Sequence, residues 1–167
     1  LTGLEHCTGL KQLNLRNHQI SDVSALATLT KLSNIELPYN QINDISSLSN
    51  LINLTHLELQ KNQLSDLSPL AKLTNLTRLN LDSNQLTDLS GLANLTSLAE
   101  LYLYVNQLND LSPLANLTSL KRLSLGGNYG TINDVSPLAN LTNLAHLRLG
   151  GHQLSNVSPL AKLTNLT

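Results

Sequence analysis

The sequence predicts an α/β-type repeat solenoid, in which a curved parallel β-sheet lines a concave face and short 3₁₀ turns form the convex one. Three observations carry that expectation. The stretch LTNLTRLNLDSNQLTDLSGLAN, residues 73–94, recurs after its own length: LINLTHLELQKNQLSDLSPLAK opens at Leu51 and LTSLAELYLYVNQLNDLSPLAN at Leu95. A fixed period in this range is the signature of a chain that stacks one supersecondary unit on the next. Within the unit the leucine spacing switches from three to strict alternation, as at Leu76, Leu79 and Leu81, which is the period of a short strand with one buried face. Finally, so few residues separate Ser90 from Leu95 that the return segment must be a single 3₁₀ turn rather than an α-helix.

The strand comes first in each unit. With Leu79 and Leu81 turned inward, Arg78, Asn80 and Asp82 face the other way. So short a strand cannot bury its leucines alone, and only parallel pairing with identical neighbours fills a continuous core.

Asn84 follows, where the chain must turn away, and Asn40, Asn62, Asn106 and Asn128 occupy the same position in other units. An amide side chain carries donors and an acceptor, so this column can satisfy backbone groups orphaned by the turn. His18 and His152 stand at the same position with fewer bonds to offer, and their turns are expected to be less tightly held.

The convex segment reads Asp-Leu-Ser-Pro-Leu at Asp66 to Leu70 and at Asp110 to Leu114, with Gly91 in place of Pro in the unit between. Ser before Pro is a helix-start signal: the hydroxyl is expected to take an orphan N–H, and Pro lacks the one that would go unpaired.

Complete repeats span 7–28, 29–50, 51–72, 73–94, 95–116, 117–140 and 141–162, with part-repeats at either end of one elongated domain, 1–167. The missing initiator Met and the part-repeats lead to the expectation that this is a piece of a longer chain whose capping segments cover the end layers around Leu4 and Leu166. Cys7 replaces the Leu that opens later units. As the lone cysteine it can form no internal disulfide, and it is expected to behave as a small buried hydrophobe.

A net charge of −1 and a pI near 6.6 argue against a generally basic nucleic-acid binder or a polybasic membrane anchor. No apolar run reaches the length of a membrane span, so no membrane insertion is expected within these residues, and no signal peptide is visible.

The Leu-x-x-Leu-x-Leu-x-x-Asn-x-Leu phrase, the 22-residue repeat and the Asp-Leu-Ser-Pro-Leu turn resemble bacterial leucine-rich repeat proteins of the internalin-like group, over essentially the whole chain. That resemblance implies a non-enzymatic arc that grips another protein on its concave face, secreted or displayed on a bacterial cell surface, with a host or cell-surface protein as the kind of partner. The alternative is an intracellular scaffold or sensor segment of a larger signalling protein.

The variable residues between the strand leucines locate the face that could do this. The sequence has no Phe, Trp or Met, and three of its four tyrosines, Tyr39, Tyr102 and Tyr104, fall in the concave rows. The fourth, Tyr129, lies in a two-residue insertion expected to bulge from the rim. All four arginines, Arg16, Arg78, Arg122 and Arg148, are concave as well. Tyr and Arg combine large contact area with directional polar groups, which is why they concentrate at binding hot spots. Glu36, Glu58, Asp82 and Glu100 are expected to make the middle acidic, and Lys121, Arg122 and Arg148 the C-terminal end basic. The candidate partner-binding residues are therefore Tyr39, Glu58, Arg78, Asp82, Glu100, Tyr102, Tyr104, Arg122, Tyr129 and Arg148. Gly126, Gly127, Gly150 and Gly151 strip two strand ends of side chains, for close approach by a partner or for a positive φ. Gly126 in particular is expected to leave space beside Tyr104 for a projecting group.

Other constellations point to structure. One carboxylate per turn, at Asp22, Asp44, Asp66, Asp88, Asp110 and Asp134, is too few for a calcium ladder, and these side chains are expected to accept local backbone N–H bonds. His56 and His146 are four repeats apart, roughly 19 Å at ordinary strand spacing, too far to share a metal. No catalytic residue, cofactor or metal site is expected. The Asn-Leu-Thr triplets at Asn53, Asn75, Asn94, Asn116, Asn140 and Asn165 arise from the repeat itself, although they spell glycosylation sequons.

Overall fold

The computed structural model describes residues 1–128 and 132–167. Seven strands form one parallel sheet in chain order: β1 (Gln12–Asn14), β2 (Asn34–Glu36), β3 (His56–Glu58), β4 (Arg78–Asn80), β5 (Glu100–Tyr102), β6 (Arg122–Ser124) and β7 (His146–Arg148). Equivalent residues pair directly, so that Leu57, Leu79, Leu101 and Leu123 form one inward row. Each strand is one residue shorter than the leucine alternation suggests. Leu59, Leu81 and Leu103 lie just beyond the paired segments, yet remain fully buried and hydrogen-bonded to the next turn.

Short 3₁₀ turns such as Ser68–Leu70 and Ser112–Leu114 occupy the opposite side, and their leucines complete a continuous core from Val23 to Leu163. The end layers are less covered. Leu4, Leu10, Leu13 and Leu15 at one end, and Leu147, Leu149, Leu160 and Leu166 at the other, are only partly buried. Cys7 is exposed, contrary to the expectation of a buried hydrophobe, because it lies in the first layer with no earlier turn packed over it.

The asparagine column works as a hydrogen-bonded spine. Asn84 Oδ1 accepts the N–H of Leu64 in the preceding turn at 3.0 Å, while Nδ2 donates to the carbonyls of Leu59 at 3.1 Å and Leu81 at 3.0 Å. Asn62 and Asn106 repeat the pattern. Among the described residues His152 makes only the contact between Nε2 and the Leu125 carbonyl, at 2.9 Å, and its buried Nδ1 has no partner there.

The Ser-Pro turn is held differently from the sequence expectation. Leu67, not Ser68, is the N-cap residue, Pro69 lies in the first turn, and no cap side chain bonds the turn. The Asp two residues earlier does that work: Asp66, Asp88 and Asp110 each accept the N–H of the following Ser at 2.8 Å. The Ser hydroxyl donates back to the same carboxylate. These bonds hold the Asp22, Asp44, Asp88, Asp110 and Asp134 carboxyls below their ordinary range, through the backbone N–H first in Asp22, Asp44 and Asp134 and through the Ser hydroxyl first in Asp88 and Asp110.

Candidate protein-binding face

The concave face is built by the outward residues of the strands and by the turn that ends each one. That turn uses a left-handed residue in every repeat: Asn17, Tyr39, Lys61, Ser83 and Val105 at φ between 55° and 59°, then Gly127 at 70° and Gly151 at 92°. Of the two readings of the glycines, positive φ holds for Gly127 and Gly151. A Cβ on Gly127 would also meet Val105 Cγ2 at 2.9 Å.

The acidic middle expected from the sequence is largely neutralised from within. Arg78 donates through Nε to Glu58 Oε1 at 2.7 Å and through Nη1 to Glu100 Oε2, and its guanidinium lies 5.0 Å from the Tyr102 ring centroid. Tyr102 donates its hydroxyl to Glu100 Oε2 at 2.9 Å; burial first, then this bond, push its phenol above the ordinary range. Arg122 reaches Glu100 Oε1 only at 3.8 Å. Glu58, Arg78, Glu100 and Tyr102 thus form one ladder across β3, β4 and β5, whose polar groups are engaged with each other. Toward the N-terminal end, Tyr39 is 38% exposed and held between Arg16 and Lys61, at 5.0 and 4.8 Å from its ring centroid.

Beyond the ladder the face opens. Asp82 Oδ1 accepts the Tyr104 N–H at 2.6 Å, and burial raises its carboxyl above the ordinary range despite that bond. The Tyr104 ring, 50% exposed, leans over Gly126, where a Cβ would lie 3.3 Å from ring atom Cδ2. The ring therefore lies over the spot that a Gly126 side chain would take, and the space beside Tyr104 opens from there. The open ground lies one strand further, at Gly150, where a Cβ would meet nothing within 4 Å. Asp82, Tyr104, Ser124, Gly126, Arg148 and Gly150 line a hollow of about 650 Å³.

Of the ten candidates, Asp82, Tyr102, Tyr104 and Arg148 meet at this hollow; Glu58, Arg78 and Glu100 lie in the neighbouring ladder with Arg122 at its edge; Tyr39 stands apart. Tyr129 lies outside the described residues. Ser124 was not among the candidates, although its place in register with Tyr102 and Arg148 follows from the repeat alignment. Among the described residues no three His, Cys, Asp or Glu side chains are grouped to hold a metal ion, and no helix is long and apolar enough to cross a membrane.

Parallel strands, a buried asparagine spine and inward leucines with variable outward residues define a leucine-rich repeat solenoid. The family model for leucine-rich repeats (two copies) matches residues 52–94 and 96–140. Two Listeria monocytogenes structures superpose over 98% of the chain with TM-scores of 0.92: an internalin, InlF, at 40% identity, and internalin C2 at 43%. The chain spans 48% of the first and 72% of the second. A Leptospira interrogans leucine-rich repeat protein superposes with a TM-score of 0.90 at 29% identity, over 98% of this chain and 43% of its own. The chain belongs to the leucine-rich repeat family and to its bacterial internalin-like group. The plant peptide hormone receptor RGFR1, solved in complex with RGF2, shares the fold at 25% identity and a TM-score of 0.75, over 98% of this chain and 32% of the receptor chain. No protein of curated function matches the sequence.

Proposed function

We propose that this chain is a non-enzymatic recognition module that binds another protein through the C-terminal half of its concave face, as part of a secreted or bacterial surface-displayed protein serving recognition or adhesion. The observation that carries this reading is Tyr104, a large aromatic side chain held half-exposed beside an open hollow on a sheet whose other face is filled with leucine. An exposed ring with a fixed backbone offers contact area at little entropic cost, the quality that makes tyrosine a hot-spot residue. The internalin relatives support the bacterial surface assignment, and the receptor solved with RGF2 supports capture of a protein or peptide ligand on this fold. The outward strand positions vary from repeat to repeat while the inward ones stay leucine or isoleucine, which suits a face shaped for a ligand rather than for stability.

The test uses wild type and a Tyr102→Ala/Tyr104→Ala double variant as paired baits against surface-exposed and secreted proteins. A partner retained by wild type should bind Tyr104→Ala weaker by on the order of 2 kcal/mol, about thirtyfold in Kd, with unchanged thermal stability. Equal affinity for wild type and the double variant would move the binding site off this face. Surface biotinylation of the producing cell tests the location: labelling of the native protein supports it, and recovery only from the unlabelled interior favours the intracellular alternative.

A further inference from the structure

The hollow beside Tyr104 contains an unused set of hydrogen-bond donors. Ser124 is only 6% exposed, it lines this hollow and a second one of about 370 Å³ next to it, and its hydroxyl has no partner among the described residues. The residue is buried while its hydroxyl is unpaired, and a group that enters the cavity it lines can take that donor. Arg148 sits beside Ser124 in register. Its guanidinium makes no hydrogen bond or ion pair among the described residues and acts on Asp82 only through space. The Gly150 N–H, at the end of the same strand, is also unpaired among the described residues.

The chain supplies its own precedent for what fits there. At the equivalent position two repeats earlier, the Tyr104 N–H is taken by a carboxylate, Asp82 Oδ1, at 2.6 Å from the strand before. For Gly150 the corresponding neighbour is Gly126, which has no side chain to offer. The donor position persists while its internal acceptor is deleted.

We propose that the trough over Ser124 receives a single carboxylate, an Asp or Glu side chain from an acidic segment of the protein partner. The carboxylate is held by the Ser124 hydroxyl, the Arg148 guanidinium and the Gly150 N–H, with its aliphatic stem against Tyr104. This rests on the reading of the concave face as the binding surface. Charge sets the ligand class. Arg122, Arg148 and His146 line the two hollows, while Asp82 shares the larger one and Glu100 stands beside Arg122. One negative charge near Arg148 is favoured, whereas the second charge of a phosphate monoester would be repelled by Asp82.

The experiment is selection of a displayed random dodecapeptide library on the immobilised protein, followed by affinity measurements with synthetic versions of the enriched peptides. The expected peptides carry an Asp or Glu whose replacement by Asn or Gln weakens binding about tenfold or more. Arg148→Gln and Ser124→Ala should weaken the same peptides and abolish the discrimination between acid and amide. Both protein variants should keep the wild-type melting temperature, since neither side chain makes a hydrogen bond or ion pair among the described residues. Peptides that depend on Tyr102 and Tyr104 but ignore Arg148, or carry no acid, would overturn the carboxylate assignment while leaving the binding face in place. Competition by inorganic phosphate far stronger than by acetate would overturn it in favour of a phosphorylated ligand. Failure to enrich any peptide that depends on the tyrosine pair would count against both the assignment and the face.

Discussion

Asn84 tests whether the asparagine spine holds the solenoid together. Its substitution by Ala removes three short bonds and a long one, from Nδ2 to the Asp82 carbonyl at 3.4 Å, which the Lys61 N–H at 2.8 Å continues to supply, and their consequences differ. The Leu59 carbonyl keeps a donor in Asn62 Nδ2 at 3.0 Å, and the Leu81 carbonyl keeps Asn106 Nδ2 at 3.1 Å. The Leu64 N–H has Asn84 Oδ1 as its acceptor and would be left buried and unpaired. One orphaned N–H costs about 1–3 kcal/mol, and two carbonyls that each lose one of two donors add about 0.5 kcal/mol apiece, giving about 2–4 kcal/mol. Urea unfolding followed by far-UV circular dichroism measures it, with Asn80→Ala as control. Asn80 lies on the concave face, where its side chain among the described residues accepts only the Asp82 N–H, so its loss should cost less than about 1 kcal/mol. A loss at Asn84 no larger than at Asn80 would refute the spine as the source of stability and leave the leucine core to account for all of it.

Three further outcomes follow from the same geometry. His152→Asn should stabilise by about 0.5–1.5 kcal/mol in the same assay, because it replaces one contact and an orphaned Nδ1 with the three-bond pattern of the other turns. Gly91→Pro, which would bring this turn to the Ser-Pro sequence of its neighbours, should instead destabilise by about 1–3 kcal/mol, since a Cβ there would sit 2.2 Å from the Leu67 carbonyl oxygen; a raised melting temperature would contradict this. The Asp22, Asp44, Asp88, Asp110 and Asp134 carboxyls have folded pKa values below their unfolded ones, so their contribution is present above about pH 4 and is lost as pH falls through the folded values. Asp82, shifted upward by burial, works in the opposite sense. Denaturation midpoints between pH 2 and 6 should therefore fall below pH 4, and Asp88→Asn should be milder than Asp88→Ala, because Asn156 already caps the Ser158 N–H at 2.9 Å.

The fold was legible because its cause is periodic. The leucines at Leu76, Leu79 and Leu81 announce a strand and its buried face, and repetition announces the stack. The asparagine column and the turn-forming Asp column were legible for the same reason, since each is a residue type matched to a local backbone need. Features that depend on lateral neighbours were not. The sequence shows Glu58, Arg78 and Glu100 as separate charges, and only the sheet register turns them into one neutralised ladder. The direction of the Tyr104 ring depends on a rotamer, which no spacing rule sets, and the ring lies over Gly126 with the hollow opening beside it. The general preference of Ser for caps points to its hydroxyl, but the Asp two residues earlier reaches the orphan N–H and leaves the hydroxyl to donate. Cys7 departs from its leucine-like role because position in the stack outweighs residue type.

The asparagine spine also gives the molecule a direction in time. Asn40 supplies the acceptor for Ile20, Asn62 for Ile42 and Asn84 for Leu64, so each loop is finished by a side chain that lies twenty residues later in the chain. A protein synthesised from its N-terminus therefore closes each loop only after the following one has emerged. A stack that stops at any repeat leaves the N–H of its last turn still awaiting that acceptor. Each newly made repeat is thus recruited onto the existing stack by a group that only it can satisfy.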